Sequence, residues 1–112
     1  MMNLSTTQTK RKAHVNVSQQ GETVTFFLSG DIDEQGAQAL KESFEKLSLH
    51  SIRQIVLNFR DVSYIGSAGL GKLLLIYKKA STENIEILVT ETDSSVKEIM
   101  YELKLDSLFK IT

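Results

Sequence analysis

The sequence contains no cysteine, no proline and no tryptophan, and only two histidines. Without cysteine there are no disulfides, no thiolate metal sites and no cysteine nucleophile, which fits a reducing cytoplasm. His14 and His50 lie far apart in the chain, and two scattered imidazoles do not make a zinc site. No apolar run approaches the roughly 20 residues that a membrane-spanning helix needs; Leu73 to Tyr77 is only a helix-sized patch. The opening MMNLSTTQTKRK has no apolar segment and does not read as a signal peptide. Excess charge is missing too. Thirteen basic against fourteen acidic side chains give a net charge of -1, so no global field recruits nucleic acid or an anionic membrane.

What is present suits one small domain. A chain of 112 residues, 41% hydrophobic and 24% charged, can form a single core. Residues 1–11 read as a disordered polar leader, and residues 12–112 as the folded unit. Val15 and Val17 alternate with polar neighbours, which predicts a strand over 13–18. A turn over Gln19-Gln20-Gly21-Glu22 leads into a second strand over 23–29, with Val24, Phe26 and Leu28 on one face. The short turn makes this pair antiparallel.

After Gly30-Asp31-Ile32-Asp33 the period changes. Ala37, Leu40, Phe44 and Leu47 form one stripe of an amphipathic helix, with Asp33 placed to cap it. A strand over 52–59 carries Ile55-Val56-Leu57, a contiguous run that suits a central strand covered on both faces. Residues 60–65 read as a connection. A second helix starts near Ser67 with Leu70, Leu73, Leu74 and Tyr77 as its apolar stripe. A strand follows over 84–89, and then a third helix capped by Asp93 or Ser94, with Val96, Ile99, Met100 and Leu103 inward. Leu108 to Ile111 supplies either a last short strand or simple packing. Two strand–helix–strand units call for parallel pairing with right-handed crossovers. The expected fold is α/β: a small mixed sheet of four to five strands with helices packed on it.

The glycine-rich stretch Gly66-Ser67-Ala68-Gly69-Leu70-Gly71 is neither a Walker loop nor a GxGxxG fingerprint. It is not a GxSxG elbow either, because Ile65 occupies the first glycine position. A nucleophilic serine would also need a base, and neither histidine falls in a predicted loop at that end of the sheet. Asp31 and Asp33 are explained by a turn and a helix cap. The predicted geometry instead puts Ser67 at a helix N-terminus, where its hydroxyl can accept a backbone hydrogen bond as a capping serine does. Gly66, Gly69 and Gly71 would let another protein approach the backbone. A phosphate on Ser67 would add about -1.5 to -2 charges at the positive end of the helix dipole. Binding of a nucleotide or anion at the same amides is a weaker reading.

The segment from Asp61 through Ser63, Ile65, Ser67 and Gly69-Leu70-Gly71 resembles the signature of STAS-domain anti-sigma factor antagonists, D-x-S-x-(I/M)-D-S-(S/T)-G-L-G. Gly30-Asp31-Ile32-Asp33 is similar to the turn after that family's second strand, and Ile55-Val56-Leu57-Asn58 to its central strand. The resemblance runs from about residue 13 to 112. It implies a STAS fold and a cytoplasmic, non-enzymatic signalling protein without cofactor or metal. It implies two partners, a serine-kinase anti-sigma factor and a PPM-type phosphatase, and neither nucleic-acid binding nor membrane insertion. By position Ser67 is the phosphate acceptor, and the unphosphorylated form binds the kinase. Asp31, Asp33, Gly66, Ala68, Gly69 and Leu70 form the partner-binding surface around Ser67. One position departs from the pattern: Gly66 stands where the family has aspartate, which bears on recognition by the kinase and not on the acceptor. The competing implication is a constitutive STAS scaffold of a larger regulatory or transport complex, not switched by phosphate.

Overall fold

The computed structural model describes residues 11–112. The expected leader therefore lies, except for Arg11, outside the described residues. Five strands and three helices alternate as β1 (His14–Gln20), β2 (Thr23–Ile32), α1 (Glu34–Glu45), β3 (Gln54–Ile65), α2 (Ser67–Thr82), β4 (Glu86–Thr90), α3 (Ser94–Glu102) and β5 (Lys110–Ile111). Single 3-10 turns at Leu49–Ser51 and Leu105–Ser107 precede β3 and β5. The sheet order follows the chain, β1-β2-β3-β4-β5. The first pair is antiparallel and the other three are parallel. The expected mixed α/β sheet is what forms, and the tail does add a short strand.

A sheet wound in one direction has a consequence. Each crossover, β2-α1-β3, β3-α2-β4 and β4-α3-β5, steps the same way across the sheet. Right-handed connections then lay all three helices on the same face. Burial follows that geometry. Val24, Ile55 and Ile87 stand in one row of the register, Phe26, Leu57 and Val89 in the next, and all six are buried. The alternate residues Thr25, Val56 and Leu88 are only half-buried, and Phe27 is exposed. The contiguous Ile55-Val56-Leu57 therefore does not mark a strand covered on both faces. Val56 points to the helix-free side, so here the apolar run overstated the cover.

The helices bury narrower stripes than their apolar content suggests. In α1, Ala37, Leu40 and Phe44 face the core, as the spacing predicts. In α2 the buried set is Gly69, Leu73, Ile76 and Ala80; Leu70 and Tyr77 are half-buried, and Leu74 is 42% exposed. The expected stripe is thus rotated, because Gly69 and Ala80, the small residues, let the helix lie close to the sheet. In α3, Val96 and Met100 are buried while Ile99 and Leu103 face solvent, which corrects half of the predicted inward set.

The rotation of α2 can be checked by stability. Leu73→Ala, at a fully buried site, should cost about 2–5 kcal/mol in a urea titration. Leu74→Ala should stay within about 0.5 kcal/mol. Equal losses at the two positions would contradict the observed helix orientation.

Candidate functional site

Because β2, β3 and β4 run parallel, the N-termini of α1, α2 and α3 all emerge at one edge of the sheet. Two of the three are closed by aspartate. Asp33 Oδ1 accepts from the Gly36 amide at 3.0 Å, and Asp93 Oδ1 accepts from the Ser95 amide at 2.8 Å and the Ser95 hydroxyl at 2.6 Å. Those Ser95 hydrogen bonds hold the Asp93 carboxyl below its ordinary range by stabilising the ionised form. The third helix differs. The N-cap of α2 is Gly66, no side chain caps it, and its first turn holds no acidic residue. Its positive end is left uncompensated.

Ser67 is the first residue inside that helix and is exposed. It is not the capping residue expected from the sequence. That place falls to Gly66, whose extended backbone (φ -95°, ψ -179°) turns from strand to helix while its amide donates to the Ile32 carbonyl at 2.9 Å. The Ser67 hydroxyl makes no hydrogen bond to another described residue, so it projects from the uncapped helix end unengaged.

How Ser67 comes to sit there depends on β3. Residues 60–65, expected as a connection, continue the strand to Ile65. Over this stretch the pairing steps two residues at a time along β2 (Phe27, Ser29, Asp31) and three along β3 (Asn58, Asp61, Tyr64). Each extra residue is a bulge, and the burial period changes from two to three: Phe59, Val62 and Ile65 point inward. Asn58 supports the first bulge by accepting from the Arg60 amide at 2.9 Å. The bulged strand delivers Ile65 to the core and Gly66 straight to the helix start. A three-residue period does not read as a strand, and for that reason the sequence suggested a loop.

The remaining candidate residues divide by exposure. Ala68 and Leu70 are half-buried beside Ser67. Gly69 is buried, and its missing side chain serves the fold, not a partner: a Cβ there would stand 2.7 Å from Ile32 Cγ2 and 2.8 Å from Ile65 Cγ1. Gly71 faces open space. Asp31 lies on β2 and is engaged internally. Its amide donates to the Arg11 carbonyl at 2.8 Å, and its Oδ2 accepts from the Arg11 amide at 3.2 Å. The Arg11 guanidinium donates in turn to the Asp61 carbonyl at 3.2 Å. Sequence reasoning missed this strap of Arg11 across the ends of β2 and β3. Gly30 (φ +85°) is what permits it, since a side chain at that position would strike the Lys12 backbone.

The two histidines lie in different places. His50 sits in the first 3-10 turn, 3.6 Å from Glu83. His14 does stand at the Ser67 end of the sheet, because β1 runs antiparallel and pairs it with Ser29. It lies on the edge strand and is exposed. Among the described residues no group of His, Asp or Glu could hold a metal ion, and no helix is long and apolar enough to cross a membrane.

The comparisons with known proteins agree with this architecture. The family model described as STAS domain matches residues 14–112. A STAS-domain containing protein of Pseudomonas aeruginosa is 28% identical over 95 residues, covering 85% of this chain and 93% of that protein. An anti-sigma factor antagonist from Mycobacterium paratuberculosis superposes with a TM-score of 0.78 at 23% identity, over 89% of this chain and 85% of the other. The Bacillus cell fate determinant SpoIIAA is similar in fold in both its forms. The unphosphorylated structure gives a TM-score of 0.76 at 16% identity, covering 88% of each chain. The phosphorylated one gives 0.71 at 15% identity, covering 88% and 91%.

The two glycines of α2 should separate cleanly in thermal or urea unfolding. Gly69→Ala forces a methyl into the Ile32–Ile65 contact and should destabilise by about 1–3 kcal/mol. Gly71→Ala meets nothing and should stabilise by up to about 1 kcal/mol through helix propensity.

Proposed function

The chain belongs to the STAS domain family, and from that premise we propose that it is an anti-sigma factor antagonist switched by phosphorylation of Ser67. In its unphosphorylated form it binds a serine-kinase anti-sigma factor; the kinase modifies Ser67 and lets go, and a PPM-type phosphatase restores binding. The chain is then a substrate and a binding partner, acts in the cytoplasm and catalyses nothing itself. The observation that carries this reading is the exposed, unengaged Ser67 at the start of α2, the one helix of the three with neither a capping side chain nor an acidic first turn.

The energetics favour a switch at this position. A phosphate on Ser67 brings about -1.5 to -2 charges to the uncompensated positive end of α2, so the fold tolerates the modification. A partner surface shaped for a neutral hydroxyl does not. Burying that charge unpaired at an interface costs on the order of 2–5 kcal/mol. The surrounding Asp31, Asp33, Ala68 and Leu70 form the rest of the partner-facing edge in this reading. Gly69 contributes by fixing the helix, not by contact. A constitutive STAS scaffold within a larger complex is the second reading. It is favoured by Gly66, which removes the aspartate that the family pattern carries beside the serine.

The test uses ATP and a recombinant serine-kinase anti-sigma factor. Intact mass should show one phosphate on the wild-type chain and none on Ser67→Ala. Ser67→Ala should bind the kinase like the unphosphorylated wild type, and Ser67→Asp should bind at least about tenfold more weakly, on the order of 1.4 kcal/mol. Equal affinity of the two variants would rule out the switch and leave the scaffold.

A further inference from the structure

Gly66 has an ordinary extended backbone, so its φ and ψ do not demand glycine. Aspartate or serine there would cap α2 and strengthen it. What the missing side chain makes room for is Tyr64. A Cβ built on Gly66 would stand 2.9 Å from Tyr64 Oη, 3.4 Å from Cζ and 3.5 Å from Cε2. A side chain at position 66 would therefore displace the tip of the tyrosine ring from where it now lies.

The second bulge of β3 turns Tyr64 outward between the buried Val62 and Ile65. Tyr64 is 51% exposed and its hydroxyl has no hydrogen-bond partner among the described residues. A tyrosine placed in this way offers a partner a large apolar face and one polar tip at little entropic cost, and such residues dominate interface energetics. The three atoms nearest to a Cβ at Gly66, the residue preceding Ser67, all belong to this tyrosine.

We propose that Tyr64 is the specificity-determining contact of the Ser67 site. The kinase acting on Ser67 reads an aromatic ring beside position 66 and presents to it an apolar slot ending in a hydrogen-bond acceptor. A cationic group suited to a carboxylate at position 66 would leave the ring unmatched and its own charge unpaired. This inference rests on the reading of Ser67 as the phosphate acceptor.

Five chains, wild type, Tyr64→Ala, Tyr64→Phe, Gly66→Asp and the Tyr64→Ala/Gly66→Asp double variant, are compared as substrates of the serine-kinase anti-sigma factor with ATP, together with their thermal midpoints. Tyr64→Ala should lower kcat/KM at least about tenfold, mainly through KM, and Tyr64→Phe about three- to tenfold through the lost hydroxyl bond. Gly66→Asp should match the loss of Tyr64→Ala while melting no lower than wild type, because it adds a cap as it displaces the ring. In the double variant the two losses should not add, since both act through the same ring. Wild-type kinetics in both Tyr64→Ala and Gly66→Asp, with Ser67 still phosphorylated, would overturn the inference alone. A wild-type chain that takes no phosphate on Ser67 would overturn the reading of the site and the inference with it.

Discussion

The close approach of α2 to the ends of β2 and β3 is the constraint on which the site depends. Gly69 meets Ile32 and Ile65 at distances that leave no room for a methyl group. That contact sets the roll of the helix. With Gly69 inward, Leu73, Ile76 and Ala80 follow into the core at helical spacing, and Ser67, Gly71 and Leu74 are carried to the outside. The exposure of Ser67 is thus a consequence of core packing two residues away. A bulkier residue 69 would lift the helix start and disturb the edge that carries Ser67.

The bulges of β3 supply the second half of the geometry. Two extra residues relative to β2 turn the end of a central strand into a segment that buries every third side chain. Buried Val62 and Ile65 anchor it, while Ser63 and Tyr64 are turned out on the approach to Ser67. The Arg11 strap holds the same region from the other side, through Asp31 and the Asp61 carbonyl. The backbone before Ser67 is therefore irregular but pinned on both flanks, and in the proposed function that arrangement would lower the ordering cost of binding.

Electrostatics at this edge are uneven in a useful way. Asp33 and Asp93 occupy the N-termini of α1 and α3 and offset their dipoles, whereas α2 ends in Gly66. In a protein of net charge -1, a new phosphate is most easily accommodated at the one helix end that lacks a carboxylate. The same group would remain a strong perturbation to anything bound there. A modification that the fold tolerates and an interface does not is the physical basis of a binding switch.

Much of the fold was legible in the amino-acid order. Alternation in β2 (Val24, Phe26, Leu28), helical spacing in α1 (Ala37, Leu40, Phe44) and the cap Asp33 are local signals, and local geometry obeyed them; of the two caps open for α3, Asp93 and Ser94, it is Asp93 that forms. The Gly66–Gly71 segment carries the resemblance to the STAS pattern, and the family model matches residues 14–112 around it. Other features were settled only by tertiary structure. Val56 and Leu74 are apolar yet lie outside the core, because a one-way sheet covers only one face and because small residues, not large ones, marked the close side of α2; Ile99 of α3 and Leu103 at its C-cap also face solvent. Residues 60–65 became strand because their register against β2, not their periodicity, pairs them. Gly66 rather than Ser67 became the cap because β3 runs on to Ile65 and leaves one residue for the turn. The contacts of Arg11 with Asp31 and of Tyr64 with Gly66 are invisible in a linear reading for the same reason: long-range register and backbone bulges decide which side chains meet.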